Sequence, residues 1–253
     1  MNGYGLIGYP LEHSFSAAYF KQKFIDEHRQ DCSYENFALP DVSHVREWLL
    51  KHEHIRGFNV TAPHKEAIIG QLDHVDSLAK SVQAVNCVAR TPRGWEGFNT
   101  DVYGFERSII PFLENRFERA LILGTGGAAK AAEFVLKKLG LHVLLVSRQP
   151  KSDQIGYEDL AVEGMKHFKL IIQCTSLGTS PAVDQRPNLP YDGIGPQHLL
   201  YDMVYNPSIT AFLSEGLKRG AQVMNGHQML KLQADRSWEI WKSFETESNS
   251  THD

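Results

Sequence analysis

Ala120-Leu121-Ile122-Leu123-Gly124-Thr125-Gly126-Gly127-Ala128-Ala129 is the stretch that decides how the second half of this chain folds. Ala120 to Leu123 form a short apolar run that reads as a buried strand, and the small-residue cluster behind it opens a helical pattern from about 128 to 139, closed by Gly140. Gly124, Gly126 and Ala129 occupy the small-residue positions of a dinucleotide-binding turn. Each is small for its own reason. Gly124 permits the tight turn, Gly126 lets the backbone approach a pyrophosphate, and Ala129 lets the helix lie close to the strand. Gly127 and Ala128 complete the turn, whose helix-end amides would face the anion.

Downstream, apolar runs near 142–146, 170–173 and 199–202 extend the pattern into a parallel sheet, so a Rossmann-like domain is expected. At the end of the next strand, where an NAD enzyme places a carboxylate against the ribose, the chain has Ser147-Arg148-Gln149-Pro150-Lys151. No carboxylate there repels a phosphate, and Arg148 with Lys151 could grip the 2′-phosphate, which favours NADP over NAD. Read alone, Arg148 is a surface arginine in a loop; the glycine turn upstream favours the phosphate role.

Upstream, the first hundred residues alternate strands near 4–7, 34–38 and 57–60 with helices near 17–27 and 42–50, a second α/β layer. The third strand stops at Thr61-Ala62-Pro63, and a helix is expected from Lys65 onward, with Lys65 in its first turn. Asn99-Thr100-Asp101 caps a helix carrying Val102, Phe105, Ile109 and Phe112, which connects the domains. The expected division is a substrate domain, 1–101, completed by 226–253, and a cofactor domain, 102–225. A last amphipathic helix near 228–244 is followed by the polar tail 245–253, expected to be disordered.

The bulk properties suit this reading. The chain has 253 residues, 42% of them hydrophobic and 22% charged, with a formal net charge of -4, which gives no general attraction for nucleic acid or an anionic membrane. No apolar run is long enough to span a bilayer, and MNGYGLIGYP lacks a secretory signal, so a cytoplasmic protein is expected. Cys32, Cys87 and Cys174 are widely spaced and odd in number, which argues against disulfides and thiolate metal sites, and the histidines show no zinc spacing. No metal is expected.

Several ordered segments together resemble shikimate dehydrogenases over nearly the whole chain: GLIGYPLEHSFS, GFNVTAPHK ending at Lys65, AVNC around Asn86, GFNTD ending at Asp101, GTGGAA, CTSLG, YDMVYNP around Tyr205, and GHQMLKLQA. The resemblance implies NADPH-dependent, reversible reduction of 3-dehydroshikimate to shikimate, on the route to chorismate and the aromatic amino acids, by a monomer or homodimer. Reducing a ketone by hydride transfer builds negative charge on its oxygen, which calls for a nearby proton donor. Lys65 and Asp101 resemble the catalytic pair; read alone, they are a first-turn lysine and a helix-start carboxylate. The resemblance further implies that Ser14 and Ser16 bind the substrate carboxylate, with Tyr205 close to it. Thr61, Asn86 and Gln233 match contacts to the ring hydroxyls. Thr175, Ser176 and Met229 match segments beside the nicotinamide, and Ser147 accompanies Arg148 and Lys151.

The pattern departs from that family at Ala17, Cys87, Ser147, Thr179 and Gln228, where proline, threonine, asparagine, methionine and glycine are respectively frequent. None removes a group the chemistry needs, though Gln228 bears on cofactor packing. The competing readings are a quinate/shikimate dehydrogenase using NAD or NADP, a non-catalytic shikimate-binding regulatory relative, and an α/β reductase of unrelated substrate.

Overall fold

The computed structural model describes residues 1–11 and 15–249. The chain divides into two compact units, Met1–Thr100 with the chain from Ala234 on, and Asp101–Gln233.

The first unit contains β1 (Asn2–Gly8), α1 (Ser16–Asp26), β2 (Cys32–Ala38), α2 (Val45–Lys51), β3 (Ile55–Val60), β4 (His74–Val75), α3 (Ser77–Val82), β5 (Cys87–Thr91) and β6 (Gly94–Phe98). Its sheet runs β2-β1-β3-β5-β6-β4. β1 pairs in parallel with both β2 and β3 and is buried along nearly its whole length, as a strand covered on both faces must be. β5 and β6 are an antiparallel hairpin joined by Pro92 and Arg93, a connection too short for the crossover that parallel strands need. The alternating pattern of the sequence did not anticipate that hairpin.

Lys65 departs from expectation in its local structure. It sits in a turn ahead of a 3-10 helix, Ala67–Gln71, rather than in the first turn of an α-helix. Long-range bonds shape this segment: the Lys65 carbonyl accepts Val85 N at 2.8 Å, and the buried His64 ring reaches the Leu39 carbonyl at 2.7 Å.

The second unit opens with α4 (Asp101–Ile109) and continues through β7 (Arg119–Leu123), α5 (Gly127–Lys138), β8 (His142–Val146), β9 (Gln154–Ile155), α6 (Val162–Met165), β10 (Leu170–Gln173), β11 (Leu199–Asp202), α7 (Ala211–Lys218) and β12 (Gln222–Met224) to the start of α8 (His227–Asn249). All its strands are parallel, in the order β12-β11-β10-β7-β8-β9. Counted from β7 this is the doubly wound dinucleotide-fold order, whose reversal point lies between β7 and β10. The short edge strands β9 and β12 carry too few residues to show a periodicity. Among the described residues, no helix is long and apolar enough to cross a membrane.

The chain from Ala234 on belongs to the first unit through aromatic packing. Trp238 and Trp241 of α8 join Tyr4, Phe20 and Phe24 in one cluster, with the Tyr4 and Trp241 rings stacked at 4.8 Å. A side chain at Gly57 would collide with the Trp241 indole, so β3 accepts this helix only with glycine there. The other face of the sheet buries Ile7, Val45, Leu49, Phe58 and Ile68.

The helix also runs on to Asn249, through the start of a tail expected to be disordered. Glu245 supplies the reason. It accepts a hydrogen bond from the buried Tyr4 hydroxyl and an ion pair from Arg29 at 2.9 Å, so the polar tail begins by satisfying groups of the core. Glu245→Ala should therefore lower unfolding stability by about 1–3 kcal/mol, because it strands the Tyr4 hydroxyl. Glu239→Ala, which breaks only an exposed pair with Arg236, should leave the urea midpoint unchanged.

Candidate functional site

Strand directions in the first unit bring distant segments to one edge of its sheet. Ile7 of β1 lies opposite Val60 of β3 in parallel, while Asn59 faces Cys87 and Cys87 faces Phe98 in antiparallel pairs. The carboxyl ends of β1, β3 and β6 therefore meet the amino end of β5. Ser16 follows β1, Thr61 and Lys65 follow β3, Asn86 precedes β5, and Asn99 and Thr100 follow β6. Segments beyond strand carboxyl ends are where α/β proteins collect ligands.

Hydrogen bonds hold this edge together. Thr61 N donates to Ile7 O at 2.9 Å, and a side chain on Gly8 would run into the Thr61 methyl group, so the two strand ends touch. Asn86 is buried. Its Oδ1 accepts Thr100 N at 2.6 Å, its Nδ2 donates to Thr100 Oγ1 at 2.9 Å, and its carbonyl accepts Val60 N at 2.9 Å. Ser16 begins α1. Ser14 lies outside the described residues.

In the second unit, buried Asp101 is the first residue of α4. One turn on, Gly104 presses against the start of α8: a side chain there would lie 2.7 Å from Met229 O and 3.1 Å from Gln233 N. Gly104 thus lets the two helix backbones approach closely, and it places Asp101, Met229 and Gln233 on crossing helices. Gln233 Nε2 donates to Leu230 O at 2.9 Å, and Met229 is buried.

The remaining candidates lie beyond the carboxyl edge of the parallel sheet. Gly124 follows β7 with φ +108°, a left-handed conformation that favours glycine, and a side chain there would meet Thr175 at 3.1 Å. Gly126 caps α5, and an added side chain would meet nothing within 4 Å, so the helix start faces open space. Gly127 and Ala128 form its first turn, and Ala129 is fully buried. After β8, Ser147 Oγ accepts Gln149 N at 3.1 Å and bends the chain, leaving Arg148 and Lys151 exposed. After β10, the buried Gln173 accepts both Thr175 N at 2.6 Å and Thr175 Oγ1 at 2.8 Å, fixing the turn that carries Thr175 and Ser176. An open helix N-terminus behind a glycine turn, with basic side chains one strand away, fits an anionic dinucleotide. Among the described residues, no group of His, Cys, Asp or Glu could hold a metal ion.

Tyr205 rides on the loop after β11, and Asp202 brackets that loop. Its Oδ1 accepts Val204 N at 2.9 Å and its Oδ2 accepts Thr210 Oγ1 at 2.6 Å, at the cap of α7. Sequence reasoning passed over Asp202, Gly104 and Asn59. Only Asn59 carried a signal, as an amide inside the apolar run of β3.

Burial pushes the Asp202 carboxyl up to about 7, against the lowering effect of its hydrogen bonds from Thr210 and Val204. An acid whose folded pKa exceeds its unfolded value of about 3.9 keeps its proton longer in the folded state. Its contribution is then most favourable below about pH 4 and is lost as pH rises toward 7. Asp202→Asn should remove that dependence, so its stability relative to the unsubstituted protein should improve from about pH 4 to pH 7 and then level off. A stability difference independent of pH in urea titrations would contradict a raised Asp202.

A model of the shikimate dehydrogenase substrate binding domain matches residues 6–88. The shikimate dehydrogenase (NADP(+)) of Desulforamulus reducens is 33% identical, with 95% of this chain and 89% of that protein covered. The Staphylococcus aureus protein of the same name is also 33% identical, covering 98% and 95%. Among solved structures, shikimate dehydrogenase 1 from Peptoclostridium difficile superposes with a TM-score of 0.84 at 34% identity, covering 96% of this chain and 92% of that one. The Thermus thermophilus shikimate 5-dehydrogenase, solved in complex with NADP(H) and shikimate, gives a TM-score of 0.84 at 28% identity, covering 96% and 94%. With a third of its residues identical along almost its full length, the chain belongs to the shikimate dehydrogenase family.

Proposed function

We propose that this chain is an NADP-dependent shikimate dehydrogenase that interconverts 3-dehydroshikimate and shikimate. The convergence of Ser16, Thr61, Lys65 and Asn86 at one sheet edge carries the reading, in a chain whose relatives bear that name. Domain limits of 1–101 with 226–253, and 102–225, assign substrate to the first part and cofactor to the second.

Ser14 and Ser16 offer hydroxyl donors to the substrate carboxylate, with Tyr205 beside it, while Thr61, Asn86 and Gln233 recognise ring hydroxyls. Gly124, Gly126, Gly127, Ala128 and Ala129 would hold the pyrophosphate of NADPH, and Ser147, Arg148 and Lys151 its 2′-phosphate. Thr175, Ser176 and Met229 would line the nicotinamide side. When bound, NADPH would supply a hydride to the carbonyl carbon. Lys65 gives a proton to the carbonyl oxygen as charge develops there, and Asp101 orients the ammonium. The product is the secondary alcohol, and the neutral lysine regains its proton from solvent. The enzyme works in the cytoplasm as a monomer or homodimer.

Purified protein offered shikimate or quinate, each with NADP or NAD, should reduce nicotinamide chiefly with shikimate and NADP. Lys65→Ala should cut kcat by about 10²–10⁴-fold with a smaller effect on the shikimate KM, as for a group acting mainly in the transition state. Near-normal turnover in that variant would remove Lys65 from the mechanism. Arg148→Ala should raise the NADP KM about tenfold or more while sparing the NAD KM, since one charge-assisted contact to phosphate is lost. An unchanged NADP KM would assign the 2′-phosphate elsewhere.

A further inference from the structure

A chain of hydrogen bonds, buried over most of its length, joins Tyr34 to Asn86 within the first unit. The Tyr34 hydroxyl donates to Asn59 Oδ1 at 3.0 Å. Asn59 Nδ2 donates to Ser237 Oγ at 2.8 Å and to the Asn86 carbonyl at 3.2 Å. Ser237 Oγ lies 3.1 Å from Thr100 Oγ1, which accepts Asn86 Nδ2 at 2.9 Å. Asn59, Ser237 and Thr100 are all buried.

The donors in this chain leave little freedom. Asn59 uses both amide hydrogens, one on Ser237 and one on the Asn86 carbonyl, so a flipped amide would set oxygen against carbonyl oxygen. The orientation of Asn59 in turn fixes where the Tyr34 proton points. At the other end, Thr100 takes a hydrogen from Nδ2 of Asn86 and gives its backbone N–H to Oδ1, which sets the face that Asn86 presents. Ser237 touches both halves.

Its surroundings give the hydroxyl a purpose. Ser237 is fully buried on α8, beside Trp238 and within a turn of Ala234 and Trp241, all members of an aromatic and apolar cluster. Alanine would pack there, is the better helix former, and would bury no polar atom. We infer that Ser237 is a positioning residue for substrate, holding Asn59 and Thr100 so that the Asn86 contact keeps one fixed arrangement. This rests on the function proposed above, in which Asn86 binds substrate.

Ser237→Ala and Tyr34→Phe, singly and combined, test it through steady-state kinetics. Tyr34→Phe removes only the hydroxyl and keeps the ring stacked on Phe20, so it serves even where the alanine variant folds poorly. KM does not depend on how much of the protein is folded, so a merely structural loss lowers the apparent maximal rate and moves neither KM. Ser237→Ala should raise the shikimate KM about tenfold and Tyr34→Phe about threefold, with the NADP KM within about twofold of the starting value. The double variant should fall short of the product of the two effects, because both break the same chain.

An unchanged shikimate KM in both single variants overturns the inference, as does a parallel rise in both KM values or a fully multiplicative double variant. The unsubstituted protein separates this from the wider reading. If it oxidises shikimate while Ser237→Ala keeps a normal KM, only the positioning role falls; if it is inert toward shikimate, the proposed function fails and takes this inference with it.

Discussion

Asn86 gives both ends of its side-chain amide to Thr100, and its backbone carbonyl to Val60. These bonds tie the start of β5 to the ends of β3 and β6, where the antiparallel hairpin joins the parallel strands of the first unit. A buried amide without partners would be costly, so the edge is stable only with all three segments in place. Everything that carries Thr61, Lys65 and Thr100 is arranged around that condition.

The same principle recurs at the edge of the parallel sheet. Buried Gln173 and Asp202, at the ends of β10 and β11, accept hydrogen bonds from the turns that follow them. Each converts a strand end into a fixed loop, one bearing Thr175 and Ser176 and the other Tyr205. These polar groups bond the chain itself, and in doing so they decide where the candidate contacts stand. Asp202 pays for its position with a carboxyl held near neutral by burial.

Glycines contribute in a different way, by absence of a side chain at near-contacts. Gly8 lets two strand ends touch, Gly57 admits the Trp241 ring, and Gly104 lets α4 meet α8. Gly124 is distinct in needing its left-handed backbone as well as space. Packing at this distance leaves no room for a methyl group, so each position ties the identity of one residue to the placement of a whole element.

From the sequence alone, the Rossmann half was legible because its strands are continuous apolar runs and its glycine turn has fixed spacing, features local enough to be read in a short window. The ordered motifs carried the family in the same way. The hairpin of β5 and β6, the turn at Lys65 and the helical start of the tail at Glu245 were not legible. The last two are settled by partners distant in the chain: Val85 for Lys65, Tyr4 and Arg29 for Glu245. Ser237 is the extreme case, an ordinary residue on an amphipathic helix until folding sets Asn59 and Thr100 against it. Periodicity reports which face of an element is buried; only tertiary structure decides which polar groups are buried together.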